Sequence, residues 1–243
     1  MISNNLFSLE GKTALVTGGS TGLGLMATAG LAAAGATVFI VSRKLENCKK
    51  AANKINGYNF KGQAIPFKGD LSSEPGISKI VDELNTKNTE LHVLINNAGR
   101  TWGSNFGSFP YDAWEKVLNL NVSALFHLTQ KLVPLLAASA ERDSPTRIIN
   151  IGSVMGEIPM GDGAYSYAAS KSAVHHITKI LAKELADKNI TVNALSPGPF
   201  QSNMTDFAIG DPKGSTRVSK RVPLKRIGKT EDIAASIQFL CGK

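Results

Sequence analysis

The stretch Thr13-Ala-Leu-Val-Thr-Gly-Gly-Ser-Thr-Gly-Leu-Gly24 decides how this chain folds. Thr13 to Thr17 is a short apolar run, consistent with a buried strand. Gly18-Gly19-Ser20-Thr21-Gly22-Leu23-Gly24 follows at once, and an Ala-rich helical pattern then runs to about Ala34. Strand, glycine turn and helix together present backbone N–H groups and a positive helix end to phosphate. Glycine is needed where a side chain would block the turn or an approaching pyrophosphate. The spacing Gly18-x-x-x-Gly22-x-Gly24 departs from the commoner Gly-x-Gly-x-x-Gly arrangement, and taken alone it equally suits an ordinary connection.

The alternation continues outward from that stretch. Gly35 fits a helix C-cap, and Thr37 to Val41 reads as a second strand. Ser42-Arg43-Lys44 stands at its carboxyl end. An acid there would accept from an adenosine ribose 2′-OH, whereas an arginine pairs with a 2′-phosphate. The first acid is Glu46, inside the next helix, so NADP(H) is expected over NAD(H). A helix from Leu45 to Asn56 leads to a third strand, Gln63 to Phe67. Asp70-Leu71 follows, and Asp70 either faces an adenine amino group or caps the helix that starts near Ser73 and runs to about Asn85. His92 to Ile95 is the fourth strand; Asn96-Asn97-Ala98-Gly99 at its end suits close backbone approach to a ligand.

Tyr111 to about Ala138 reads as one long helix, with Asn119-Leu-Asn121-Val-Ser123 marking a local distortion. Arg147 to Ile151 is the fifth strand and ends in Gly152-Ser153. A helical pattern from Ala164 to Lys188 follows, then a sixth strand from Ile190 to Ala194. Ser196-Pro-Gly-Pro-Phe200 breaks regular structure. Residues 200–223 are polar and weakly periodic, and read as a substrate lid. Thr230 caps a last helix reaching about Gly242. Strands alternating with helices predict an α/β fold: a Rossmann-type doubly wound parallel sheet flanked by helices, in one domain over residues 1–243.

The second helix of interest carries Tyr167-Ala-Ala-Ser-Lys171. Residues four apart share a helix face, so the phenol and the ammonium meet the same space. A free phenol has a pKa of about 10, and a fixed cation nearby lowers it toward the range where proton transfer is efficient. Ser153, at the end of the fifth strand, is expected beside Tyr167 across the crevice where open parallel sheets bind ligands.

Composition narrows the class. The 243 residues are 42% hydrophobic and 19% charged, as expected of a globular α/β domain. Met1 to Gly11 holds no signal-peptide core, and the apolar patches Leu31–Ala36 and Leu132–Ala138 are too short to span a bilayer. A cytoplasmic setting without a membrane partner is expected. Cys48 and Cys241 give no disulfide framework. The net charge of +8 suits a phosphorylated cofactor or an acidic carrier protein. The basic residues are dispersed, which argues against nucleic acid. No metal site is expected.

In order and spacing, Thr17-Gly18-x-x-x-Gly22-x-Gly24, Asp70, Asn96 to Gly99, Asn121, Ser153, Tyr167-x-x-x-Lys171 and Pro197-Gly198 resemble the short-chain dehydrogenase/reductases. The resemblance spans about Leu9 to Cys241. Ser42-Arg43 resembles the NADP-preferring members. Asn193 to Thr205 resembles the 3-oxoacyl-carrier-protein reductases, including those linked to rhamnolipid synthesis. The resemblance implies carbonyl reduction to a secondary alcohol by hydride transfer. It makes Tyr167 the proton donor, Lys171 the group that lowers the phenol's pKa and binds the nicotinamide ribose, Ser153 the carbonyl anchor, and Asn121 the anchor of a water. It implies that Gly18, Ser20, Thr21, Gly22, Leu23 and Gly24 hold pyrophosphate, and that Ser42 and Arg43 hold the 2′-phosphate. Asp70 and Leu71 would face adenine, Asn97 and Gly99 the adjacent ribose, and Pro197, Gly198 and Ser202 the carboxamide and diphosphate. The family's usual seventh strand is missing after the last helix, so the expected homo-oligomer, dimer or tetramer, is weakened if the C-terminus is truncated. Lys183 and Arg147 are expected to flank the site as docking residues for the carrier, with ordinary surface charge an equal explanation. A polyol, sugar or diketone substrate fits the sequence as well; a non-catalytic dinucleotide sensor is disfavoured by the intact Ser153, Tyr167 and Lys171.

Overall fold

The computed structural model describes residues 6–87, 89–160 and 163–243. Among them, six parallel strands form one sheet: β1 (Thr13–Thr17), β2 (Thr37–Ser42), β3 (Gln63–Lys68), β4 (Val93–Asn96), β5 (Thr146–Ile151) and β6 (Ile190–Leu195). Their order is β3-β2-β1-β4-β5-β6. The helices are α1 (Gly22–Ala33), α2 (Leu45–Asn56), α3 (Glu74–Thr86), α4 (Asp112–Leu118), α5 (Ala124–Ala138), α6 (Tyr165–Glu184), α7 (Asp206–Ile209), α8 (Pro212–Ser219) and α9 (Thr230–Cys241). No helix of the described residues is long and apolar enough to cross a membrane.

The central strands read as unbroken apolar runs because helices cover both faces of the sheet. Side chains alternate across a strand, and β1 divides accordingly. Ala14 and Val16 join Val38, Ile40 and Ile95 under Leu31 of α1, Ile55 of α2 and Ile237 of α9. Leu15 joins Phe39, Leu94 and Ile148 on the other face, under Ile80 of α3, Leu128 and Leu132 of α5 and Leu181 of α6. Each fully buried leucine contributes roughly 1.5–3 kcal/mol. The small residues of α1 serve a close crossing: a Cβ on Gly30 would lie 2.7 Å from Ala234 Cα of α9.

Several boundaries differ from expectation for local reasons. The helix read from Tyr111 to Ala138 is α4 and α5 joined by a π turn, Asn119–Ser123. Residues 200–223 hold α7 and α8, where a loop was expected. Asp211 begins α8 by accepting from Gly214 N–H at 2.9 Å, with Pro212 in the first turn. Lys229 occupies the N-cap of α9, and the expected cap, Thr230, is already helical. The Asp232 carboxylate closes that end by accepting from Lys229 N–H at 2.8 Å. Ser73, not Asp70, caps α3. The helix read to Lys188 ends at Glu184 and a 3-10 turn, Ala186–Lys188. Strand β6 is an edge among the described residues, and a groove of about 510 Å³ is lined by residues of β6 and α6.

Candidate active site

In a parallel sheet every strand ends on the same side. The carboxyl ends of β1 to β6 therefore bring Gly18, Arg43, Asp70, Asn97, Ser153 and Pro197 to one edge. The strand order reverses between β1 and β4, which opens the crevice there.

The glycine turn is locked from β4. Asn97 Nδ2 donates to Thr17 O at 2.9 Å and to Gly18 O at 3.2 Å. Thr17 Oγ1 in turn accepts from Asn97 N–H at 2.9 Å and Ala98 N–H at 3.0 Å. Gly18 and Gly22 have φ of 64° and 54°, a region that excludes most side chains. A Cβ on Gly24 would overlap Gly18 O, and one on Gly22 would lie 3.0 Å from Ser202 Cβ. Ser202 thus leans on the turn from the segment leading to α7. Thr21 occupies the N-cap of α1 without a side-chain cap, so the first N–H groups of α1 remain for an anion. Ser20 and Leu23 are half-buried beside it and Thr21 is exposed.

At the next strand ends, Ser42 is half-buried and Arg43 is exposed. The Asp70 carboxyl is held below its usual range, first by Ser72 N–H at 2.9 Å, with the Arg43 charge adding. Leu71 is buried in the core with Ile77 and Leu94, so its side chain supports the β3 end rather than facing outward. Asn97 spends its amide N–H on the turn. A Cβ on Gly99 would lie 3.2 Å from Asn121 Oδ1. Pro197 accepts from Val154 N–H at 3.1 Å, and Gly198 beside it is exposed.

Ser153, Tyr167 and Lys171 come together as expected. Ser153 is buried; its hydroxyl accepts from Met155 N–H at 3.2 Å and lies near enough to the Tyr167 phenol to lower its pKa. One expectation is corrected: the phenol stands above its ordinary pKa rather than below it, because burial raises Tyr167 and the Ser153 hydroxyl offsets this only in part. The Lys171 ammonium donates to Ile151 O at 2.6 Å and lies 5.5 Å from the Tyr167 ring centre, over its face. Burial lowers Lys171 to about 8.

Asn121 sits in the π turn, 1% exposed. It donates to Arg100 O and Ser170 Oγ, both at 2.9 Å, and accepts from Arg100 N–H at 2.8 Å. Ser170 Oγ donates to Tyr167 O at 2.7 Å, so Asn121 tethers the helix that carries the phenol. Beneath the site, Thr129, Asn96, Asn150 and Thr178 form a chain of side-chain hydrogen bonds, each 2.9 Å, from α5 through β4 and β5 to α6. Sequence reading missed this chain and His175, whose Nε2 accepts from Ser153 N–H at 3.3 Å. The available signal for His175 was its spacing of four from Lys171.

The two docking residues are corrected. Arg147 lies at the amino end of β5, opposite the site, and its guanidinium donates to Gly242 O at 2.7 Å and to Pro145 O. Lys183 is in the last turn of α6, roughly 24 Å along the helix from Tyr167 at 1.5 Å per residue.

The pattern of the short chain dehydrogenase family matches residues 12–211, and the chain belongs to that family of oxidoreductases. It is 45% identical over 236 residues to a Pseudomonas aeruginosa rhamnolipids biosynthesis 3-oxoacyl-[acyl-carrier-protein] reductase, covering 97% of this chain and 91% of the relative. It is 35% identical to a Thermotoga maritima 3-oxoacyl-[acyl-carrier-protein] reductase, covering 96% of this chain and 91% of that one. The Pseudomonas aeruginosa RhlG/NADP active-site complex superposes with a TM-score of 0.93 at 44% identity, covering 99% of this chain and 93% of that one.

Proposed function

We propose that this protein reduces the keto group of a 3-oxoacyl thioester, presented on an acidic carrier protein, to a secondary alcohol with NADPH. One observation carries the reading: the Ser153 hydroxyl stands beside the Tyr167 phenol, with a buried Lys171 ammonium over the phenol ring, next to a glycine turn with no room for a Cβ at Gly24. The similarity to two 3-oxoacyl-[acyl-carrier-protein] reductases favours a thioester over a sugar, polyol or diketone.

The residues fit the dinucleotide. The Gly18 to Gly24 turn and the start of α1, with Ser20, Thr21 and Leu23, would hold pyrophosphate. Ser42 and Arg43 would pair with a 2′-phosphate, Asp70 and the backbone of Leu71 would border adenine, and Asn97, Gly99, Pro197, Gly198 and Ser202 would line the remainder. When bound, NADPH supplies the hydride. Ser153 orients and polarises the substrate's carbonyl oxygen. Tyr167, kept neutral by burial, hands that oxygen its proton. The Lys171 charge over the ring favours the phenolate left behind, which stabilises the transition state more than the ground state. Asn121 keeps α6 in register with the Arg100 backbone. Two buried free thiols are consistent with a reducing, cytoplasmic setting, and a homo-oligomer is part of the reading.

The test follows NADPH oxidation with acetoacetyl-coenzyme A, a carrier-linked 3-oxoacyl chain, a ketose and a diketone. The thioesters are expected to be turned over best, the carrier-linked one with the lower KM. Arg43→Ala should raise the KM for NADPH by about 10–100-fold and leave NADH use unchanged, from the worth of a charged hydrogen bond. Cofactor binding without oxidation across the panel would overturn the reading in favour of a sensor.

A further inference from the structure

His175 lies one helical turn beyond Lys171, on the α6 face that carries both catalytic candidates. Its side chain is 12% exposed. The ring fits beneath the Gly152–Gly156 turn, and the glycines make room for it. A Cβ on Gly152 would overlap His175 Nε2, and one on Gly156 would lie 3.0 Å from Cε1. Between those glycines, Ser153 turns its hydroxyl toward Tyr167 and its N–H toward His175 Nε2 at 3.3 Å.

A backbone N–H facing Nε2 determines the tautomer: the lone pair is on Nε2 and the proton on Nδ1. Nδ1 lies 3.3 Å from Glu157 Oε1, a contact without hydrogen-bond geometry. We propose that His175 is a positioning residue for the reduction: its neutral imidazole holds the backbone of Ser153, and so keeps the serine hydroxyl on its line to Tyr167. This rests on the role given to Ser153 above.

Protonation would place a second donor opposite the Ser153 N–H and release the turn. The charged groups that face the ring are Glu157, which favours the imidazolium, and Lys171 and Lys179 of its own helix, which oppose it. Across the groove, β6 and the residue after it present Asn193 and Ser196, which do not titrate. Burial is the largest influence and lowers the imidazole from its ordinary 6.5. The neutral form therefore holds at neutral pH, and the bond is lost as pH falls through that lowered value.

The test compares wild type, His175→Leu and His175→Gln. Gln sets an amide oxygen near the Nε2 position and does not titrate in this range. The readouts are kcat against pH with acetoacetyl-coenzyme A, NADPH affinity, and ¹⁵N NMR of the histidine ring and the Ser153 amide. Leu should lower kcat about three- to ten-fold with NADPH affinity unchanged, the loss of one hydrogen bond expressed as a rate. Gln should keep the wild-type kcat and lack its acid limb. The wild-type ring should show the Nδ1–H form at neutral pH, and the Ser153 amide should titrate with it. The proposal is overturned if Leu keeps the wild-type kcat, if Gln keeps the acid limb, or if the ring carries its proton on Nε2. A wild type that leaves the thioester unreduced refutes the functional reading instead. The NMR result then still decides for or against the His175–Ser153 bond, as it does if the Leu variant does not fold.

Discussion

Tyr167 and Lys171 stand one turn apart, yet the ammonium is bonded to Ile151 O rather than aimed at the phenol oxygen. The spacing made a shared face legible, but not the carbonyl that claims the charge, because β5 reaches α6 only in the folded chain. Two outcomes belong to this scale. Tyr167→Phe removes the transferable proton and should lower kcat by about 10²–10⁴-fold, with NADPH affinity held by titration within about two-fold. Lys171 is charged below about 8 and neutral above it. The kcat/KM profile of the free enzyme should therefore fall as pH rises through about 8. In Lys171→Arg, whose guanidinium stays charged, that limb should vanish.

At the scale of elements, the site is built on strand ends. The glycine stretch was readable because each glycine answers a steric demand. Gly24→Ala tests this: its Cβ overlaps Gly18 O, overpacking of that kind costs about 1–3 kcal/mol, and the melting temperature should fall by about 2–12 °C with weakened NADPH binding. The distortion expected at Asn119–Ser123 is the π turn, an irregularity often found at functional sites. Helices α7 and α8 escaped notice because they are short and set by Asp206 and Asp211–Pro212, with too few apolar residues to show a period.

At the scale of the molecule, the far end of the sheet ties distant parts of the chain together. Arg147 joins β5 to the residue after α9, and Lys243 N–H donates to Leu6 O at 2.8 Å. Arg147→Ala should cost about 1.5–3 kcal/mol, the worth of hydrogen bonds from a charged donor, and lower the melting temperature by about 3–12 °C. Because Arg147 is remote from the cleft, kcat/KM on a carrier-linked substrate should stay within about two-fold of wild type. A large loss of kcat/KM without a loss of stability would return Arg147 to a docking role.

Local chemistry alone determined the α/β alternation, the glycine turn, the basic end of β2 and the Tyr167–Lys171 pair. Each is encoded within a few consecutive residues, by periodicity, steric need or helical spacing. The tertiary structure decided the strand order, the partner of Lys171, the elevated phenol, the polar chain from Thr129 to Thr178 and the seat of His175 beneath Ser153. Those depend on groups that lie far apart along the chain and meet only when the sheet is assembled, where burial and the nearest donor or acceptor set the outcome.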